Sequence, residues 1–292
     1  MTDPTSRHHR PDTPRIASAD FSLLIIGDEI LSGKRADKHM PKLIELLAAR
    51  GLRLDAAEYV GDSPVHITAC LRRALAHASA TGGAVFSCGG IGATPDDHTR
   101  QCAAAALGAP LALHPQAAAL IHERMKDVAA AQGTPYEPDK PDNLHRLNMA
   151  LFPQGATIIP NPYNKIAGFS LAATGGQGGV FFFPGFPVMA WPMMAWVLDT
   201  HCPHLFHSHA QLEKSVIVFG AMEATLTPLM EQIECDFPGA KVFSLPSVDH
   251  PQYGRHIELG VKGPLELTAN AYAALLQGLR TLNTPLGPEL VR

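Results

Sequence analysis

Gly89-Gly90-Ile91-Gly92-Ala93-Thr94-Pro95-Asp96-Asp97 follows a short apolar run, 84–87, and precedes a helical pattern that opens near His98. Glycines between a strand end and a helix start let the backbone approach a ligand closely, and the unpaired N–H groups of the helix's first turn then attract an anion. This stretch therefore predicts a phosphate-binding loop on an α/β sheet.

Working outward, residues 21–26 form a short apolar run ending at Gly27, as expected for a strand buried on both faces of a parallel sheet. Met40, Leu43, Ile44, Leu46 and Leu47 have helical spacing, with Asp37 as the expected N-cap and Gly51 as the stop. The cycle repeats with a strand over 52–60, the turn Gly61-Asp62-Ser63-Pro64, a helix carrying Ile67, Leu71 and Leu75, and the strand 84–87. Helices are expected over 99–107 and 115–131, a proline-rich loop over 133–142, and strands over 157–159, 169–172 and 180–183. Alternating strands and helices imply right-handed crossovers and a mainly parallel, helix-covered sheet.

The uncharged run 180–198 is almost long enough to cross a bilayer, but Pro184, Gly185 and Pro187 break it and Pro192 suits the first turn of a following helix. A strand, a turn and a core helix are expected instead. The chain is thus divided into a disordered tail over 1–20, a main α/β domain over 21–200, a linker over 201–211, a small βαββα unit over 212–285 and a tail over 286–292.

Composition narrows the function. A net charge of −4 gives no cationic field for nucleic acid, so no nucleic-acid partner is expected. The five cysteines include no Cys-x-x-Cys pair, and no apolar leader precedes residue 20, so a cytoplasmic protein without a membrane partner is expected. His201, Cys202, His204, His207 and His209 have spacings open to a metal, although a solvated linker is the expectation. Cys88 is expected to be a small buried residue rather than a reactive thiol.

In parallel sheets ligands bind beyond the carboxyl ends of the strands, where Gly27, Asp62 and Gly89 would converge. Asp28, Glu29, Asp62, Asp96 and Asp97 then crowd one crevice, either as helix caps or to place a divalent ion or a water. Lys34 and Arg35 either clamp a phosphate opposite the glycine loop or are surface charge. Two nucleotide signatures fail: Pro95 stands where Gly-x-Gly-x-x-Gly needs its third glycine, and Arg35 where a Walker loop needs Ser or Thr.

Gly27-Asp28-Glu29-Ile30-Leu31-Ser32-Gly33, the Asp62 turn, the run from Gly89 to Thr99, Asn161-Pro162 with Gly168-Phe169, and Pro184-Gly185-Phe186-Pro187 occur in an order that resembles the molybdenum-cofactor biosynthesis (MoaB/MogA-like) domain. They look closest to the N-terminal part of CinA competence/damage-inducible proteins. The resemblance implies a three-layer αβα sandwich that binds molybdopterin or a nucleotide-like phosphate ligand, as a homo-oligomer. It also implies functional aspartates at Asp62 and Asp97, the candidate catalytic residues. The candidate ligand-binding set is Gly27, Asp28, Glu29, Gly33, Gly89, Gly90, Gly92, Thr94, Asp96, Thr99, Asn161, Pro184, Gly185 and Pro187. CinA-type relatives can instead hydrolyse the pyrophosphate of ADP-ribose with magnesium or another divalent metal; their deamidase activity is not expected here.

The chain departs from the family pattern at Ile91, at Asn164-Lys165-Ile166-Ala167 and at Val188-Met189. Three readings stay open: a molybdopterin-binding protein, with or without nucleotidyl transfer; a metal-dependent ADP-ribose pyrophosphatase; and a non-catalytic sensor or assembly module.

Overall fold

A computed structural model describes residues 13–208 and 211–292. The chain divides into two compact units, Met1–Phe206 and His207–Arg292. In the first unit β1 (Phe21–Ile26) leads through the single turn α1 (Asp28–Leu31) to α2 (His39–Ala48), β2 (Ala56–Val60), α3 (Pro64–Thr81) and β3 (Ala84–Cys88). After the glycine loop come α4 (Thr99–Leu107), β4 (Leu111–Leu113), α5 (Pro115–Gln132), α6 (Pro141–Leu147), β5 (Leu151–Pro153), β6 (Thr157–Ile159), β7 (Gly168–Ala172), β8 (Gly179–Phe183) and α7 (Pro187–His201).

The main sheet has the order β2-β1-β3-β8-β7-β6. β2, β1, β3 and β8 run parallel, and β7 and β6 add an antiparallel edge. Side chains alternate across a strand, so β1 sends Leu24 and Ile26 to one face and Phe21, Leu23 and Ile25 to the other. The first face packs with Ile67 and Leu71 of α3, Ala103 of α4 and Ile121 of α5; the second packs with Leu43 and Leu47 of α2 and Met194 and Val197 of α7. Both faces are dry, which explains why these strands read as unbroken apolar runs. The result is the three-layer αβα sandwich.

Stacked rings stiffen the sheet: Phe169 and Phe182 lie 4.3 Å apart at 9°. Such offset pairs add to simple burial.

Some boundaries differ from expectation. Residues 13–20 are not a free tail, because Ile16 is buried with the second core and Arg15 bridges to Gln177; residues 1–12 lie outside the described residues. α7 begins at Pro187, so Pro192 sits inside it rather than in its first turn. The bond it forgoes would go to the carbonyl of Val188, in an exposed turn where water can serve. The stretch 201–206 is no solvated linker: His201 packs its ring on Phe181, Cys202 is buried, and His204 Nε2 donates to the Ile16 carbonyl. Burial lowers the pKa of His201 and pushes the Cys202 thiol up to about 12. His209 lies outside the described residues, and among the described residues no group of three or more His, Cys, Asp or Glu could hold a metal ion.

The second unit comprises β9 (Gln211–Val218), α8 (Glu223–Asp236), β10 (Lys241–His250), β11 (Gly254–Pro264), α9 (Leu265–Thr281) and β12 (Leu286–Val291). Its antiparallel sheet has the order β10-β11-β9-β12, and Leu226, Ile233, Leu275 and Leu279 of the helices pack on Val216, Leu259 and Val261. The expected tail over 286–292 is thus mostly a strand, paired with β9 from Leu286 to Val291. Among the described residues no helix is long and apolar enough to cross a membrane.

Candidate functional site

β1, β3 and β8 run side by side, so the loops after Ile26, Cys88 and Phe183 emerge at one end of the sheet. Gly89 donates its amide to the Phe183 carbonyl at 3.0 Å, and its φ of 107° and its closeness to the Ile26 carbonyl leave no room for a side chain. Gly90, at φ 66°, lies as tightly against the Thr99 hydroxyl.

The start of α4 holds three successive loop carbonyls. Thr99 Oγ1 donates to the Gly89 carbonyl at 3.0 Å, the Thr99 amide donates to the Gly90 carbonyl at 3.0 Å, and Arg100 Nη1 donates to the Ile91 carbonyl. In a trans peptide the N–H points opposite to the preceding C=O. The amides of Gly90, Ile91 and Gly92 therefore turn away from α4, and among the described residues none has a protein acceptor. Successive outward amides form an anion-binding concavity.

Asp97 closes the far side of this loop, since its Oδ2 accepts from the Thr94 amide at 2.8 Å and from Thr94 Oγ1 at 2.6 Å. The other acidic turns are also tied together. The Asp28 amide donates to Asp62 Oδ2 at 2.9 Å, and the Asp62 amide donates to Asp28 Oδ1 at 3.1 Å. Partial burial raises the Asp62 pKa above the ordinary value, and the charges of Asp28, Glu29 and Asp96 push the same way against the amide bond.

These loops enclose a cavity of about 700 Å³, within the usual range for small-molecule sites. Of the residues singled out from sequence, Gly27, Glu29, Asp62, Gly89, Gly90, Gly92, Thr94, Asp96, Asp97, Pro184 and Gly185 line it, as do Lys34 and Arg35. Asp28, Gly33, Thr99, Asn161 and Pro187 do not. Thr99 lies beneath the loop, and Asn161 is buried, donating to Asn164 Oδ1 and the Ile166 carbonyl to shape the 161–167 turn. Pro187 is the first residue of α7, and Gly33 is a left-handed turn residue at φ 72°.

The cavity also has an apolar side of Ile91, Met149, Ile166, Ala167, Phe186 and Met189; the motifs and departures read from the sequence contain all of these but Met149, without marking them as ligand-binding. Met189 reads from sequence as helix packing, and Met149 sits in a short turn whose placement has no local signal. His39 was also missed. It is buried, and its Nε2 donates to the Gly185 carbonyl at 3.0 Å, which fixes α2 to the 184–187 turn; burial holds its pKa below the ordinary value. Cys88 is fully enclosed, and burial pushes its thiol well up, which leaves it unreactive.

A larger groove of about 1150 Å³ lies at the opposite, amino end of the strands, lined by Leu107–Pro110 and 171–177 with Arg15 as its one charged residue among those described. No Asp or Glu is among its lining residues.

A family model described as "Probable molybdopterin binding domain" matches residues 22–207. The chain is 34% identical over 166 residues to a CinA-like protein of Anaeromyxobacter dehalogenans, covering 57% of this chain and 37% of that protein. It is 33% identical over 216 residues to a CinA-like protein of Citrifermentans bemidjiense, covering 72% of this chain and 47% of the relative. The chain thus spans less than half the length of these curated relatives. Among solved structures, the protein CinA of unknown function from Thermoplasma acidophilum is similar, with 26% identity and a TM-score of 0.51, covering 62% of this chain and 97% of that one.

Proposed function

The chain belongs to the family of probable molybdopterin-binding domains, and from that premise we propose that it binds a phosphate-bearing pterin, or a nucleotide of like shape, in the 700 Å³ cavity. The observation that carries this reading is the set of outward amides at Gly90, Ile91 and Gly92, whose carbonyl partners are held by α4. Lys34 and Arg35 line the same cavity and offset the neighbouring carboxylates. The flat ring goes to the apolar side, against Met149, Ile166, Phe186 and Met189. Phe186 is 58% exposed, an aromatic face open to a ligand rather than used in the core.

Glu29, Asp62, Asp96 and Asp97 line the cavity, and Asp62 and Asp97, each with one oxygen bonded to a main-chain amide, keep a second oxygen that would hold a divalent ion together with water and a ligand phosphate. Binding is the reading the outward amides carry, and metal-assisted hydrolysis of a pyrophosphate is the second reading that the cavity's carboxylates favour. Homo-oligomer formation belongs to the same proposal and is checked by light scattering.

Fluorescence titration of the full chain with molybdopterin, with magnesium present, tests the reading. Saturable binding is expected, and a folded sample that binds nothing would contradict it.

A further inference from the structure

We propose that Arg100 is the positioning residue of the glycine loop, which turns the loop amides outward and supplies the buried positive charge that favours a doubly charged phosphate over a singly charged ligand. This rests on the reading of the cavity as a phosphate site.

Arg100 is only 3% exposed, and it sits second in α4. Two physical costs attach to that place. A cation near a helix N-terminus opposes the helix dipole, and a buried guanidinium loses its hydration. Buried charges are normally paired, yet among the described residues Arg100 has no carboxylate at ion-pair distance and makes one hydrogen bond, to the Ile91 carbonyl. Asp97 is the acid whose charge it feels, but that carboxylate is bonded to Thr94.

A guanidinium has five donors, and holding one carbonyl needs only one of them. An amide side chain could hold Ile91 without the cost of a buried charge. The charge itself is therefore what the position retains, and the group it can serve is an anion on the other side of the loop. The Ile91 carbonyl points down to Arg100 and the Gly92 amide points up in the same peptide plane, so one residue sets both the direction of the donor and the potential behind it. Local rules broken in this way are expected where a site demands them.

The test uses the full chain with inorganic pyrophosphate as the multiply charged probe, titrated calorimetrically against the wild type, Arg100→Gln and Arg100→Lys. Arg100→Gln keeps a donor and removes the charge. It is expected to raise the Kd for pyrophosphate at least about ten-fold, the loss of one charge-assisted interaction, while melting no lower than the wild type without ligand. Arg100→Lys is expected to bind with intermediate affinity. A merely structural arginine gives the opposite pattern, a lower melting temperature with unchanged affinity per folded molecule, and that result would overturn the proposal. Should the Gln variant fail to fold, the ¹⁵N resonances of the wild-type guanidinium decide: they shift as pyrophosphate saturates, or the proposal is wrong. If the wild type binds no pyrophosphate, the phosphate-site reading itself fails; binding that is unaffected by Arg100→Gln removes only the role given to Arg100.

Discussion

Asp28 and Asp62 each donate a main-chain amide to the other's carboxylate, at 2.9 and 3.1 Å. This exchange joins the turn after β1 to the turn after β2, and with Gly27 donating its amide to the Val60 carbonyl it fixes the acidic wall of the cavity. The pair thus acts as a structural clasp for the loops.

Asp62→Asn keeps an oxygen to accept from the Asp28 amide and removes a charge that burial and its acidic neighbours disfavour. The native pKa is raised, so the native state holds its proton more tightly than the unfolded chain. Stability then falls as pH climbs from the ordinary aspartate value of 3.8 through the native value, and the penalty persists at neutral pH. The Asn variant is expected to gain on the order of 0.5 kcal/mol at pH 7, kept small by solvent screening, and to lose this advantage below about pH 4. Urea denaturation at the two pH values measures it.

His39 has the opposite sign. Its native pKa lies below 6.5 because it is buried, and Nε2 must carry the proton donated to the Gly185 carbonyl. The stability it contributes is present above pH 6.5 and is lost as pH falls through the native value, with a slope of at most about 1.4 kcal/mol per pH unit. His39→Gln retains a donor in the place of Nε2 without the titration. Its stability is expected to fall less steeply than that of the wild type between pH 7 and pH 5; parallel profiles would show that His39 does not titrate with unfolding.

Gly90→Ala puts a methyl group against the Thr99 hydroxyl at a φ of 66°. The left-handed backbone and the loss of the bond to the Gly89 carbonyl together cost roughly 2–4 kcal/mol. Removing the hydroxyl as well should relieve the clash. A double-mutant cycle with Thr99→Ala is therefore expected to show the two changes costing less together than their sum; strict additivity would place the collision elsewhere.

Much of the fold is legible in the sequence because the signals are local. Strands buried on both faces announce themselves as apolar runs, and the expected bounds of β1, β3 and β8 agree with the structure within a residue or so. Asp37 reads as a cap, and its carboxylate does accept from the amides of His39 and Met40. The glycine loop is legible because Gly89 and Gly90 occupy backbone conformations and close contacts that side chains cannot share. What escapes depends on contacts distant in sequence. His39 meets Gly185 across 146 residues, and Met149 reaches the cavity from a turn with no pattern of its own. Arg100 escapes for a different reason: a basic residue in a first helical turn reads as a solvated side chain until its burial is known. The strand Leu286–Val291 is missed because its Gly287 and Pro288 look like tail chemistry, and pairing with β9 overrides that propensity.

The most direct measurement is a ¹⁵N–¹H correlation spectrum of the full chain during titration with pyrophosphate. The amide signals of Gly90, Ile91 and Gly92 are expected to move together, downfield and saturably, ahead of amides at the opposite end of the sheet such as Gly175 and Gly176. Signals that stay fixed while pyrophosphate binds elsewhere, or that drift without saturating, would contradict the assignment of this loop as the anion site.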